Sequence, residues 1–201
     1  MEKRQWAMAI GALELLKQRA PLDPYSYEQL ANCYQKLGQP EKAVPNLIEL
    51  HTHTMSSPVY ARQIAELYRA LEKYDEALKY YGEVIKINPY EASAHQSKAS
   101  IYYTQRNWGE AIQSARNVTL VQGDQASSWV LLAKLEYYGG RQAKSVRMLR
   151  DARRDAEHAL SLDAEDEDAK ELLVQIDEQI AELPPEPQSQ PASQPASGPG
   201  N

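Results

Sequence analysis

The feature that most constrains this chain is a pattern of small and aromatic residues that recurs every 34 positions. The alanines of the series are Ala31, Ala65, Ala99 and Ala133. A tyrosine follows the first three after three residues, at Tyr34, Tyr68 and Tyr102. A second small residue follows after twelve, at Ala43, Ala77, Ala111 and, in the fourth register, Ser145. A period of this length predicts short helix pairs that bury their apolar faces only by stacking on neighbouring pairs.

This spacing resembles the tetratricopeptide repeat, whose units have 34 residues and a small/aromatic pattern. The match is clearest between residues 58 and 91, which contain Tyr74-Asp75-Glu76-Ala77 and, at the end of the unit, Pro89. The resemblance implies an all-α fold: a right-handed superhelical solenoid of antiparallel helix pairs. We expect about four repeats and a C-terminal capping helix.

The chain divides into segments of different composition. The predicted segments are a partial repeat (1–23), four repeats (24–57, 58–91, 92–125 and 126–160), an acidic capping helix (161–183) and a tail (184–201). The tail consists mainly of Pro, Ala, Ser, Gln and Gly. Because it offers no apolar side chains for a core, we expect it to be disordered.

The first segment predicts a single helix without a partner. Its residues Ala9, Leu13, Leu16 and Pro21 follow the pattern of the second helix of a repeat, yet no first helix precedes them. One hypothesis is that the chain is the C-terminal part of a longer protein, cut inside a repeat. The other is a natural cap, or a surface through which two copies associate. Either predicts an exposed apolar patch on this helix.

The fourth repeat departs from the pattern. Gly139-Gly140 is expected to break the chain between its two helices, as Gly38 does in the first repeat. The residues that follow predict one lengthened helix over roughly 141–160. An alternative register, seven residues later, places Ala152, Ala156 and Ala159 in the small-residue positions.

The charge of the chain is unevenly distributed. The net charge is −6, but residues 1–150 hold 19 basic and 15 acidic side chains, whereas residues 151–183 hold 3 and 12. This balance argues against a nucleic-acid partner, which requires a broad basic surface. No apolar stretch reaches the roughly 20 residues that span a bilayer, so we expect no direct membrane insertion. A complete chain of this kind is expected in the cytoplasm.

The residues that could perform catalysis or bind metal are few. The single cysteine, Cys33, excludes a cysteine-based zinc cage, and His51 and His53 lack the spacing of a helical metal pair. Phosphate-binding loops, dinucleotide-binding fingerprints and serine-nucleophile motifs are absent from the sequence. We therefore expect no enzyme activity, no catalytic or metal-binding residue and no cofactor.

The resemblance also implies a ligand-binding surface, formed by the first helix of each pair. The positions that face a ligand in the family correspond here to Tyr25, Glu28, Asn32, Gln35, Arg62, Glu66, Arg69, Gln96, Ser100, Tyr103, Lys134 and Tyr137. Amides, arginines and tyrosines on rigid helices suit an extended peptide, which needs hydrogen bonds along its backbone. The alternative is that these side chains are merely hydrated.

The resulting functional hypothesis is a protein-interaction scaffold that binds a peptide or protein segment in a concave groove. The alternatives are a non-catalytic accessory domain of a larger enzyme, such as a peptidase, or a self-associating structural repeat. Family members that bind the acidic tail of heat-shock chaperones use two lysines, two asparagines and an arginine. The corresponding residues here are Glu28, Asn32, Gln63, Ser93 and Ser97. Only Asn32 agrees, so that ligand is not expected.

Overall fold

The fold is described by a computed structural model that covers residues 2–54 and 57–184, without the side chain of Glu2. Within these residues the chain forms ten α-helices. They are α1 (Glu2–Arg19), α2 (Pro24–Lys36), α3 (Pro40–His53), α4 (Pro58–Ala70), α5 (Tyr74–Ile87), α6 (Ala92–Thr104), α7 (Trp108–Val121), α8 (Ala126–Ala143), α9 (Val146–Leu162) and α10 (Glu167–Glu182). The predicted all-α solenoid of antiparallel helix pairs is confirmed. The segment 185–201, predicted to be disordered, lies outside the described residues.

Each predicted repeat contains one helix pair: α2/α3, α4/α5, α6/α7 and α8/α9. The second helix of each pair also packs against the helix that follows it, α3 on α4, α5 on α6, α7 on α8 and α9 on α10, which gives a continuous stack. The recurring alanines lie at the contacts within pairs, and all are buried. A side chain no larger than a methyl group lets the two helix axes approach closely.

The aromatic residues of the pattern fill the space between helices. The rings of Tyr34, Tyr68 and Tyr102 are each partly buried. Tyr68 stacks on Tyr80, with ring centroids 5.9 Å apart. Burial raises the pKa of all three repeat tyrosines above the ordinary value.

The turn between the two helices of a pair uses the same backbone conformation in three successive repeats. Gly38, Glu72 and Arg106, which are 34 residues apart, all have positive φ, at 70°, 58° and 56°. Glycine adopts this left-handed conformation without steric cost, but glutamate and arginine do not. The tight connection therefore imposes the conformation at the second and third turns, whatever the side chain.

The fourth pair does not break at Gly139-Gly140, and that prediction is wrong. Both glycines remain inside α8, and the left-handed residue is instead Lys144, with φ of 52°. The glycines are needed for close packing, since a Cβ at Gly140 would meet the backbone nitrogen of Leu149 at 3.2 Å. Helix α8 is therefore 18 residues long, whereas the first helices of the other pairs have 13.

The delayed turn also moves the second helix of the fourth pair. Helix α9 begins at Val146 rather than near residue 141 and ends at Leu162. Its buried small residues are Ala152, Ala156 and Ala159, which corresponds to the alternative register seven residues later. Helix α8 is five residues longer than the other first helices, and α9, with 17 residues, is three longer than the other second helices, which have 14.

The two ends of the stack differ in chemistry. Helix α1 packs against α2 and leaves apolar side chains exposed on its other side, with Met8 71% and Leu15 57% exposed. Helix α10 buries Ala169, Leu172 and Ile176 against α8 and α9, and its opposite side is acidic. Among residues 2–54 and 57–184, none of the helices has both the length and the apolar character to cross a membrane.

Candidate functional site

Several of the predicted binding residues meet on a concave surface between α6 and α8. We call it the α6/α8 groove. It has a volume of about 490 Å³ and is lined by Gln96, Ala99, Ser100 and Tyr103 of α6 and by Leu131, Lys134, Leu135 and Tyr138 of α8. Four predicted ligand-facing residues, Gln96, Ser100, Tyr103 and Lys134, therefore lie on one surface.

The two walls of the α6/α8 groove share one pattern. On each helix the lining residues occupy positions i, i+3, i+4 and i+7, which form a single stripe along an α-helix. Helix α7 packs against both α6 and α8 and presents the small residues Ala111 and Ala115 to the shared core. Since α7 holds the two walls from behind, their stripes face one another across an open space.

One end of the groove is formed by three aromatic rings. The ring centroids of Tyr103 and Tyr138 are 5.6 Å apart, and both rings contact Trp108, at 5.6 and 6.3 Å. These rings line a second cavity of about 790 Å³, together with Thr104, Arg106, Arg141 and Gln142. We call this second cavity the aromatic cleft. The indole N–H of Trp108 donates a hydrogen bond to Oε1 of Gln142.

The charged side chain of the groove, Lys134, forms an ion pair with the C-terminal helix. Nζ of Lys134 lies 2.7 Å from Oδ2 of Asp168, at the start of α10. Both side chains are partly exposed, so the ion pair is weak and a ligand carboxylate can compete for the ammonium group. Lys134 thus joins the groove to the acidic helix α10.

The structure corrects the position of the fourth-repeat tyrosine. Tyr137, predicted to face a ligand, is only 5% exposed and packs in a core cluster with Ala133 and Leu149. The neighbouring Tyr138 lines the groove instead. The sequence indicated a tyrosine at this place, but two adjacent tyrosines differ by about 100° around a helix. The rotation of α8 about its own axis decides which of the two tyrosines faces the groove.

The remaining predicted binding residues lie on α2 and α4, outside the lining of the α6/α8 groove. Those on α2 are all exposed; they are Tyr25, Glu28, Asn32 and Gln35. On α4, Glu66 and Arg69 are exposed, whereas Arg62 is half-buried and lies 3.5 Å from Glu91. Arg62 and Glu91 line a smaller cavity of about 200 Å³.

A buried acidic pair, on α8 and α9, was not predicted from the sequence. Glu136 of α8 is 2% exposed, and its Oε1 accepts a hydrogen bond of 2.8 Å from Arg116 of α7. Asp155 of α9 is also buried and is 3.1 Å from Nε of Arg154. Burial raises the pKa of Glu136 to about 7, and the Asp155 carboxyl adds to the rise while Arg116 opposes it. The position of this glutamate between Leu135 and Tyr137 was the available signal.

The structure also places the two histidines whose spacing does not predict a metal site. His51 is buried, with Nε2 3.0 Å from Oε2 of Glu83 and Nδ1 3.1 Å from the carbonyl of Ser57. His53 lies 3.8 Å from the carboxylate of Glu49, one helical turn away on the same helix. In the part of the chain that the structure describes, no three His, Cys, Asp or Glu side chains converge as metal ligands would.

Comparison with known proteins gives one family match and many structural matches. The family model of the anaphase-promoting complex, cyclosome, subunit 3, matches residues 2–84. No curated protein sequence matches the chain significantly.

Among solved structures, MamA from Desulfovibrio magneticus RS-1 (residue 41 to the end) is 20% identical, with a TM-score of 0.59 over 79% of this chain and 91% of that one. YrrB, a tetratricopeptide-repeat protein described as having an unusual peptide-binding site, is 13% identical, with a TM-score of 0.63 over 84% and 83%. The first repeat domain of Spaghetti (RPAP3), bound to the HSP90 peptide SRMEEVD, is 20% identical, with a TM-score of 0.51 over 62% and 93%. At these identities the likeness establishes the fold alone.

Proposed function

Because this chain has the tetratricopeptide-repeat fold, we propose that it is a protein-interaction scaffold that binds an extended segment of a partner protein in the α6/α8 groove. The observation that carries the proposal is the convergence of Gln96, Ser100, Tyr103 and Lys134 on one concave surface. These four residues are among those that the resemblance to the repeat family implied would face a ligand.

The composition of the groove suits a peptide in an extended conformation. The amide of Gln96 and the hydroxyl of Ser100 can exchange hydrogen bonds with a peptide backbone, whose donors and acceptors repeat along its length. Ala99, Leu131 and Leu135 provide an apolar floor for alternate side chains. Since the walls are helices fixed by α7, little ordering is required of the scaffold on binding.

The ligand differs in type from the acidic peptide bound by the RPAP3 domain. The exposed carboxylate of Glu28 stands where members of the family that bind such peptides have a lysine. It would repel the two consecutive glutamates of the sequence SRMEEVD in a ligand that extended from the groove to α2. The α6/α8 groove, with a single lysine and tyrosines at one end, favours an uncharged or weakly acidic segment with apolar side chains.

The function is tested by selecting ligands from a random-peptide display library on the full chain. Ser100→Trp fills the groove from an exposed position on α6, and we expect it to lower the affinity of the selected peptides at least tenfold. The matched control is Gln113→Trp, which adds the same ring to an exposed position on α7. Equal affinity of both variants and the original chain would exclude the groove as the binding surface.

Self-association is a second candidate function, favoured by the outer side of α1. Met8, Ala12 and Leu15 occupy positions i, i+4 and i+7 of this helix, so they form one apolar stripe, and all three are exposed. An exposed apolar stripe at the end of a helical stack is a surface on which another helix can pack. A second copy of the chain would supply the same stripe in return.

A further inference from the structure

The aromatic cleft has the chemistry of a proline-binding surface. Tyr103 and Tyr138 are 42% and 36% exposed, and the Trp108 ring lies between the cleft and the core. Exposed aromatic rings side by side are the surfaces on which proline-rich segments dock, because pyrrolidine rings pack on ring faces and the segment is already extended. The acceptor-rich backbone of such a segment also suits the neighbouring guanidinium groups of Arg106 and Arg141.

The chain itself carries a proline-rich segment that starts next to this cleft. Leu183, just after α10, packs against the core cluster that contains Tyr137 and Leu149. The ring of Tyr137 is in turn 5.4 Å from that of Tyr138. The end of α10 therefore packs on the cluster whose Tyr137 neighbours Tyr138, and Tyr138 lines the cleft together with Arg141 and Gln142 of the same helix.

The length of the segment is sufficient to reach every part of the cleft. Seventeen residues follow Pro184, and at about 3.1 Å per residue in a polyproline II conformation they span roughly 50 Å. Helix α8, with 18 residues, is only about 27 Å long. Reach therefore does not restrict where the segment binds.

The charges are complementary as well. Residues 184–201 contain six prolines, one acidic residue, Glu186, and no basic residue. The cleft is bordered by Arg106 and Arg141, which are both exposed. Glu186 is the second residue after Pro184, and Arg141 belongs to the C-terminal half of α8.

We propose that the aromatic cleft binds the proline-rich segment 185–201 of the same chain, in competition with ligands of the α6/α8 groove. Competition follows because the two cavities share Tyr103 and Tyr138; this part rests on the proposed scaffold function. A short tether gives an effective concentration in the millimolar range, so even a weak intrinsic site is occupied. An external ligand of the cleft would have the same character as this segment: an extended, proline-rich sequence with few charges.

The test uses the full chain, with a nitroxide attached through Ala196→Cys in a Cys33→Ala background. The indole N–H signals of Trp6, Trp108 and Trp129 are resolved by nuclear magnetic resonance. We expect the nitroxide to broaden the Trp108 signal far more than that of Trp6, which lies in α1 at the other end of the stack. Equal broadening of these two signals, or none, would overturn the proposal.

Matched variants separate proline recognition from mere proximity. Replacing Pro187, Pro191, Pro195 and Pro199 with serine should abolish the selective broadening of the Trp108 signal. Replacing Gln188, Gln190 and Gln194 with serine should preserve it. In the folded part, Tyr138→Ala should abolish the effect, whereas Tyr90→Ala, at an exposed tyrosine beyond the cleft, should not. Selective broadening that survives the proline or Tyr138 replacements would contradict the proposed contact.

Two further measurements assign the result. If broadening appears only when the nitroxide and the isotope label are on different copies, the segment binds between copies and the same-chain proposal is wrong. The four proline-to-serine replacements should also raise the affinity of library-selected groove peptides about three- to tenfold. Unchanged affinity would refute competition, whereas the comparison of Ser100→Trp with Gln113→Trp tests the scaffold function separately.

Discussion

Gly140 of α8 lies so close to Leu149 of α9 that a Cβ on the glycine would be 3.0 Å from Cδ2 of the leucine and 3.2 Å from its backbone nitrogen. The side chain of Leu149 can move by rotation, but its backbone cannot. The contact explains why a glycine pair persists in the interior of an 18-residue helix. It also ties the position of α9 to the absence of a side chain at one residue of α8.

Gly140→Ala should therefore lower the free energy of unfolding, by about 1–2 kcal/mol. The strain of one extra methyl group in a tight contact exceeds the roughly 1 kcal/mol that alanine gains over glycine in a helix. Gly82→Ala in α5 is the matched control, since nothing lies within 4 Å of its Cβ position. That variant should be more stable by about 0.5–1 kcal/mol. Urea unfolding measures both, and effects of the same sign would contradict the packing at Gly140.

Glu136 should make the stability of the chain depend on pH. Its pKa in the folded chain, about 7, lies above the ordinary value of 4.5, so the folded state holds the proton more tightly than the unfolded state. This contribution to stability is complete below pH 4.5 and is lost as the pH rises through 7. Glu136→Gln should remove it, and the free energy of unfolding should then change less between pH 5 and 8, by about 2 kcal/mol.

The control for Glu136→Gln is Glu110→Gln, at an exposed position near the start of α7. Urea titrations at pH 5 and 8 provide the comparison. The Glu110 variant should retain the pH dependence of the original chain. A Glu136 variant with the same dependence would show that the buried carboxyl titrates normally.

Tyr81 and Tyr27 are both buried, but only the hydroxyl group of Tyr27 is hydrogen-bonded within the described part of the chain. Tyr81 is 1% exposed, and its hydroxyl has no hydrogen-bond partner within the described part of the chain. The hydroxyl of Tyr27 donates to the carbonyl of Pro21 at 2.9 Å. Tyr81→Phe should thus leave the free energy of unfolding unchanged or raise it by up to about 1 kcal/mol, whereas Tyr27→Phe should lower it by about 1 kcal/mol. Thermal unfolding of the two variants checks the difference, and a larger loss in Tyr81→Phe would indicate a hidden partner.

The apolar stripe of α1 predicts association between copies. Met8→Lys combined with Leu15→Lys should shift the molar mass at high concentration towards that of the single chain. Each substitution replaces an apolar side chain, which can pack on a second copy, with a charged one that cannot. Light scattering against concentration measures the shift. Lys3→Ala with Gln5→Ala, also exposed on α1, serves as the control. If the original chain has the mass of a single copy at every concentration, the stripe does not mediate association.

Much of the fold could be read from the sequence because the small residues repeat with a fixed period. The burial of Ala65 and Ala77 follows directly from that period, since a helix pair with alanine at its contact has one close way to pack. The stack was therefore predictable from Pro24 onward, apart from its fourth pair. There, Gly139-Gly140 was interpreted as a turn, although glycine serves equally well where two helices approach closely.

The candidate site was predictable in part, for a related reason. Gln96, Ser100, Tyr103 and Lys134 were identified because their helices keep the 34-residue register. Tyr137 was chosen over Tyr138 because it follows Tyr103 by 34 residues, but the stripe of α8 that lines the groove ends at Tyr138. Trp108 and Arg141 were missed as parts of a binding surface, since each belongs to a helix end that approaches the others only in three dimensions.

The turn residues Gly38, Glu72 and Arg106 keep a spacing that Lys144 does not, and this decides where the protein can be lengthened by design. A further 34-residue unit inserted between α5 and α6 meets neighbours of its own length on both sides, so it can join the stack without adjustment. The same unit placed after α9 would face a pair that is longer in both helices, and α10 already covers that surface. Repeat units can thus be added in the middle of the stack, whereas the outer surface of α9 is fitted to α10.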